Sequence, residues 1–246
     1  MKNFRSLSYH LWLANKTTNW FGADSEPAFR YNTKNNSTLL ADWSDTVIEY
    51  SFNEYGFRSD PFVEGKDIMF LGASNTLGTG LPLENTWVDI TARELDSSYY
   101  NLGQGGGSSD TSFRLASFWI EALKPKLVIY LIPPSARLEV IDGFAKHDTF
   151  FKASPTGVSS TTGISDEPIE KAIQSYFNIW SSCDENIALN AEKNMLAISS
   201  ICKSTNTKFV CLSTDQDWTQ LDYARDLQHG GIKSNRAFAD LVLSKC

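Results

Sequence analysis

The sequence predicts an α/β fold built on an open, mostly parallel sheet with helices on both faces. Three observations point there. Short apolar runs, Ile68-Met69-Phe70-Leu71 and Leu127-Val128-Ile129-Tyr130-Leu131-Ile132 among them, alternate with longer segments of helical periodicity. The run at 127–132 is apolar throughout, as a central parallel strand covered on both faces must be. From Lys66 onward the order is strand, helix, strand, helix, strand, the order that generates parallel neighbours.

Each element has its own justification. Residues 67–71 read as the first strand. Residues 84–95 read as a helix, with apolar Trp87, Ile90 and Leu95 and an acidic Glu84 at the positive end of the helix dipole. Residues 99–102 form a second short strand that ends in the glycine-rich turn Gly103-Gln104-Gly105-Gly106-Gly107. Asp110 is the expected cap of a helix running through Phe113, Leu115 and Phe118 to Leu123. After 127–132 come Pro133-Pro134 and an expected insertion at 138–180 near the active face. It holds a Ser/Thr/Gly-rich loop (154–165) and the aromatic segment Tyr176-Phe177-Asn178-Ile179-Trp180. Helix 184–202, strand 208–212 and helix 234–243 complete the domain, expected over 61–246. Residues 1–60 are rich in Asn, Ser, Thr, Trp and Tyr and weakly periodic, so they are expected to cover that domain. Within them 46–52 alternates as a strand and Gly56 marks a turn. No internal repeat is visible.

Composition narrows the function classes. The chain has 246 residues, 41% hydrophobic and 21% charged, with 29 acidic against 22 basic residues and a net charge of -7. Without a basic cluster, nucleic acid is not expected as a partner. No run approaches the roughly 18 apolar residues of a membrane span. The N-terminus lacks the uninterrupted apolar stretch of a signal peptide, so a cytoplasmic location is the default expectation. Cys183, Cys202, Cys211 and Cys246 show no C-x-x-C spacing, and His10, His147 and His229 show no metal-type spacing. Free thiols and no metal site are therefore expected.

Two short motifs carry the chemistry. Gly72-Ala73-Ser74-Asn75-Thr76 places Ser74 where a strand ends and a helix begins, and Asp226-Leu227-Gln228-His229 sets a carboxylate close enough to orient an imidazole. A serine is a poor nucleophile until a base takes its proton and a third group fixes the tautomer of that base. Ser74, His229 and Asp226 supply those three roles. The glycine turn lacks the Gly-x-x-x-x-Gly-Lys-Ser/Thr pattern of a phosphate loop and follows the second strand, so a nucleotide cradle is disfavoured.

Taken in order, these blocks resemble the SGNH (GDSL-type) hydrolase superfamily, over residues of about 50 to 246. The Gly-Asp-Ser-x-Thr block matches 72–76 with Ala73 in place of Asp. The Asn-x-Gly-x-x-Gly block matches Asn101-Leu102-Gly103-Gln104-Gly105-Gly106, and Asp-x-x-His matches 226–229. Asn53-x-x-Gly56-Phe57-Arg58 resembles a segment ahead of the nucleophile in one branch. The resemblance implies a three-layer α/β/α fold with a doubly wound, flavodoxin-like sheet. It also implies a serine nucleophile at Ser74, an oxyanion hole from the backbone N–H groups of Ser74 and Gly106, and no cofactor. The third block departs: where Gly-x-Asn-Asp should follow residue 132, the chain reads Pro133-Pro134-Ser135-Ala136-Arg137. Ser135 stands at the position of the oxyanion-binding asparagine; either its hydroxyl or the Arg137 cation is left to act there, and the sequence does not choose.

The expected function is a serine esterase that hydrolyses small acyl esters, O-acetyl groups on carbohydrate ahead of lipid. The alternatives are a catalytically weak glycan-binding or structural module and an O-acyltransferase. Tyr176, Phe177 and Trp180, together with Trp12, Trp20 and Trp43, have two readings, stacking on sugar rings or packing in the core.

Overall fold

The computed structural model describes residues 4–141, 149–161 and 167–246. Ahead of the sheet the chain makes little regular structure. β1 (Thr17–Thr18) is followed by α1 (Glu26–Asn35), whose first turn is capped by the Ser25 hydroxyl accepting from the Ala28 N–H. β2 (Tyr50–Ser51) pairs antiparallel with β1. The 46–52 strand is thus cut to two residues. Its alternation is real, with Ile48, Tyr50 and Phe52 buried and Val47 exposed, but the ladder ends where β1 ends. Leu13, Phe21, Trp43, Ile48, Tyr50 and Phe52 pack with Leu77, Leu81 and Ala224, so this segment shares a core with the residues around Ser74 and Asp226.

The main sheet begins with β3 (Ile68–Leu71), which leads into α2 (Ser74–Leu77) and α3 (Trp87–Glu94). β4 (Tyr99–Asn101), α4 (Ser109–Leu123) and β5 (Leu127–Ile132) follow. Then come β6 (Leu138–Ile141), β7 (Phe150–Ser154), β8 (Gly157–Ser160) and α5 (Glu167–Ser181). α6 (Asp184–Ser204), β9 (Lys208–Ser213), α7 (Thr214–Asp217) and α8 (Ile232–Leu243) close the chain. The four-stranded sheet runs β4-β3-β5-β9 and is parallel throughout, with Ile68 opposite both Tyr99 and Leu127, and Leu127 opposite Lys208.

The pleat divides the core in two. Met69, Leu71, Val128 and Tyr130 pack against Leu115 and Trp119 of α4 and Ile198 and Cys202 of α6. Ile68, Phe70, Ile129 and Leu131 pack against Trp87 and Ile90 of α3 and Phe238 and Val242 of α8. Each fully buried side chain of this kind contributes about 1.5–3 kcal/mol relative to exposure, which is why strands apolar on both faces require helices on both. A parallel sheet also puts the C-terminal ends of all its strands at one edge. Ser74 after β3, the glycine turn after β4, Arg137 after β5 and the Asp226–His229 loop after β9 therefore meet there.

Several boundaries differ from the sequence reading for local reasons. The helix expected from Glu84 starts at Trp87, because Thr86 is the residue whose hydroxyl accepts from the Asp89 N–H. Ser108, not Asp110, caps α4: its hydroxyl accepts from Thr111 N–H, and Thr111 Oγ1 accepts in return from Ser108 N–H. Asp110 instead takes the side-chain amides of Asn190 and Asn194. The loop expected at 154–165 is in part a hairpin, with Ser154 opposite Gly157 across Pro155-Thr156. Ser and Thr tolerate a half-buried pleated surface well enough to hold it. The aromatic segment 176–180 lies inside α5, where Ile173 and Phe177 pack on Phe151 and Ala153 of β7. His147 and residues 162–166 lie outside the described residues. Among the described residues no helix is long and apolar enough to cross a membrane.

Candidate active site

The turn at Ser74 is built by steric necessity. A Cβ on Gly72 would lie 2.2 Å from Thr76 Oγ1, so only glycine lets β3 turn this sharply into α2. The glycine turn after β4 is stitched onto it: Gln104 N–H donates to Gly72 O at 3.1 Å, and Asn101 Nδ2 donates to Thr76 O at 2.9 Å. Gly106 follows with φ +72, the left-handed backbone that glycine adopts without cost. Among the described residues nothing accepts from the N–H of Ser74 or of Gly106. The turn is braced from outside as well. His10 Nε2 accepts from Gly105 N–H at 3.2 Å, and Gln104 Oε1 accepts from Tyr9 N–H at 2.7 Å. Arg58, from the motif ahead of the serine, donates to the carbonyls of Leu77, Gly78 and Leu81 and so fixes the chain that leaves α2.

The loop after β9 delivers the other two groups. Leu227 is held at φ 56, a conformation that costs a non-glycine residue about 1–2 kcal/mol. In return Asp226 Oδ1 collects the N–H groups of Gln228 and His229, both at 3.0 Å. Asp226 Oδ2 lies 2.5 Å from His229 Nδ1, and His229 Nε2 lies 2.8 Å from Ser74 Oγ. Neighbouring groups lock this loop. Buried Asn235 donates to Gly230 O and Gly231 O, and Arg225 makes a two-point ion pair with buried Asp24 at 2.7 and 2.8 Å.

The electrostatics fix the proton positions. Burial alone would raise the Asp226 carboxyl, but the His229 ring and the backbone N–H groups outweigh it and hold the group below its ordinary value. An ionised carboxylate only accepts, so Nδ1 of the neutral ring carries the proton and Nε2 is left as the acceptor for the Ser74 hydroxyl. Burial first, and the Lys152 ammonium second, push His10 down to about 3, so this ring is neutral and free to accept from Gly105.

The residues of the altered third block separate. Ser135 donates its hydroxyl to Asp215 Oδ2 at 2.8 Å and its N–H to the same oxygen at 3.3 Å. Arg137 lines a cavity of about 230 Å³ together with Ser74 and His229. Trp218, Gln220 and Gln228 also line it, and none of the three was singled out from the sequence. The signal that would have found them is position: all three lie between the end of β9 and His229, on the edge where the strands terminate. The aromatic residues weighed as sugar platforms lie elsewhere. Trp43 and Phe177 are core, and Trp20 stacks under the Arg225 guanidinium at 4.0 Å. Among the described residues no group of three or more His, Cys, Asp or Glu side chains is placed to hold a metal ion.

No protein-family model matches the chain, and no curated protein matches it. Solved structures do. One, named as a lipolytic protein of the G-D-S-L family from Desulfitobacterium hafniense DCB-2, is 12% identical with a TM-score of 0.38, over 74% of this chain and all of that one. An acetyl xylan esterase is 16% identical with a TM-score of 0.33, over 73% of this chain and 98% of its own. A protein from Bacteroides fragilis NCTC 9343 named as an acylhydrolase is 14% identical with a TM-score of 0.34, over 75% and 89%. Likeness at these scores carries no functional weight, and the site's own geometry must.

Proposed function

We propose that this chain is a serine esterase acting on small acyl esters, O-acetyl groups on carbohydrate foremost. The observation that carries the reading is the relay Asp226–His229–Ser74, with 2.5 and 2.8 Å separations, opening on a cavity. In it, Ser74 Oγ attacks the ester carbonyl carbon while His229 Nε2 takes the hydroxyl proton, and Asp226 stabilises the imidazolium that results. The negative charge on the former carbonyl oxygen is met by the Ser74 and Gly106 N–H groups, with Arg137 as a third, cationic contributor. Collapse breaks the bond to the alcohol, which leaves with the proton from His229. Water, deprotonated by the same ring, then releases the acyl group as its acid.

The accompanying architecture is the three-layer, doubly wound, flavodoxin-like arrangement, supported by the β4-β3-β5-β9 order and the two helix-covered cores. In it residues 1–60 cover domain 61–246, and 138–180 form the insertion. The test is a fluorophosphonate probe with a short-chain p-nitrophenyl ester assay. Labelling and turnover that disappear together in Ser74→Ala are expected. Labelling of another serine overturns the assignment of Ser74, and the absence of both labelling and turnover overturns the reading in favour of a binding module.

A further inference from the structure

The buried arginines of this chain fall into two kinds. Arg225 is held two-fold by Asp24, Arg114 is held two-fold by Glu139 at 2.7 and 2.9 Å, and Arg58 donates to four carbonyls. Half-buried Arg137 has one weak hydrogen bond, to Gly107 O at 3.3 Å. Beside it, half-buried Lys152 reaches Gly105 O at only 3.4 Å and lies 5.6 Å from the Tyr9 ring centre. Among the described residues neither cation forms an ion pair within 4.0 Å. The carboxylate that does act on Arg137 is Asp215, already occupied by Ser135. Glu139, directly across the ladder from Lys152, is taken by Arg114 and Tyr9.

Both cations therefore hold only long contacts to the glycine turn and are partly desolvated, with Asp215 acting on Arg137 from beyond ion-pair distance and no carboxylate among the described residues paired with either. Burial lowers both, and Arg137 adds to the lowering of Lys152. A cation pair in this state costs free energy that a bound anion returns. Arg137 lines the Ser74 cavity, and Lys152 stands against the neighbouring glycine turn, where a Cβ on Gly106 would lie 3.3 Å from its Cδ.

We infer that Arg137 and Lys152 form an anion subsite on the glycine-turn side of the Ser74 cavity, so that the substrate is an ester bearing a carboxylate or a phosphate. The substrate role rests on the esterase reading; the anion site itself does not. The experiment has two arms. In the first, succinate and inorganic phosphate are titrated at constant ionic strength into Ser74→Ala protein and into the double variant with Lys152→Met, with binding read by calorimetry. The expected result is saturable binding of at least one anion, weakened about 10- to 100-fold by Lys152→Met and restored by Lys152→Arg, the range of a lost charge-assisted hydrogen bond. The anion that binds tells carboxylate from phosphate. Binding of neither, or equal binding with and without Lys152, overturns the subsite whatever Ser74 does. In the second arm, the wild type is expected to prefer the p-nitrophenyl monoester of succinic acid over p-nitrophenyl butyrate in kcat/KM, with the preference collapsing in Lys152→Met. A preference that survives Lys152→Met overturns the assignment to this lysine. Anion binding without turnover of either ester leaves the subsite standing and removes the esterase reading.

Discussion

Two arginines near the same edge of the sheet have opposite surroundings. Arg225, one residue ahead of Asp226, is 3% exposed and has an acceptor for every arm: Asp24 twice, Thr46 O and Asn19 O, with the Trp20 ring beneath it. Arg137, across the cavity, has a single long bond to a carbonyl. A charge buried to hold a fold must be paired, since an isolated one is too costly, whereas a charge left under-paired beside a cavity is available to something that arrives there. The Asp226–His229 wall is thus a finished framework, whereas Arg137, with Lys152 beside it on the glycine turn, is left under-paired.

The largest effect should come from upsetting the finished wall at its reacting end. Asp226→Asn keeps the shape but lets the ring adopt the wrong tautomer, and kcat should fall about 10⁴-fold with the fold intact by circular dichroism. Asp226 also sets a pH edge. Its carboxyl is lowered by folding, so its contribution to stability is complete above the ordinary Asp value of about 3.9 and is lost as pH falls through the lowered value.

Next comes the anchor of that wall. Asp24→Asn strands the Arg225 charge and should destabilise the protein by about 3–5 kcal/mol, read as a lowered denaturant midpoint. Arg137→Met should do the reverse. Turnover should fall about 10²–10³-fold, the usual cost of one oxyanion-stabilising group, while stability moves by no more than about 0.5 kcal/mol. If Arg137→Met proves as destabilising as Asp24→Asn, the two walls are not different in kind.

What could be read from the sequence follows the same division. The central strands of the parallel sheet were legible because they are buried on both faces, and Leu127–Ile132 runs over the residues expected. Ser74, His229 and Asp226 were legible because each sits in a short motif whose spacing is local, and the structure brings them within hydrogen-bonding distance. The bracing contacts made by residues ahead of the sheet were not legible. Arg225 pairs with Asp24 and His10 with Gly105 only through long-range folding, and no local periodicity encodes such contacts. Lys152 was missed for a further reason: its stretch read as an irregular insertion, and only the pairing of β6 with β7 turns it toward the glycine turn.

His10 offers a smaller test of that brace. Its neutral ring must accept from Gly105, and burial drives it to about 3 against about 6.5 unfolded. The unfolded chain therefore binds the extra proton between those values, and stability should fall with falling pH across that window, by up to about 1.4 kcal/mol per unit. His10→Gln retains an acceptor and should flatten that slope in pH-dependent urea melts. An unchanged slope would mean that His10 is not the group that titrates.

The smallest effect is expected at Ser135, which the sequence left beside Arg137 as a candidate for the role of the missing asparagine. Ser135 stands at the place of an oxyanion-binding asparagine, yet its hydroxyl and N–H both point to Asp215 Oδ2. A hydroxyl has one proton, and the Asp215 carboxylate already holds it in a charge-assisted bond. Ser135→Ala should therefore change kcat by less than about tenfold, well short of the ~10²–10³ that follows loss of a working oxyanion donor. It should also free Asp215, the carboxylate that acts on Arg137. If Asp215 then pairs with Arg137, affinity for an anionic ester should fall. A loss of more than about a hundredfold on the neutral ester that Arg137→Met does not reproduce would instead return Ser135 to the oxyanion hole.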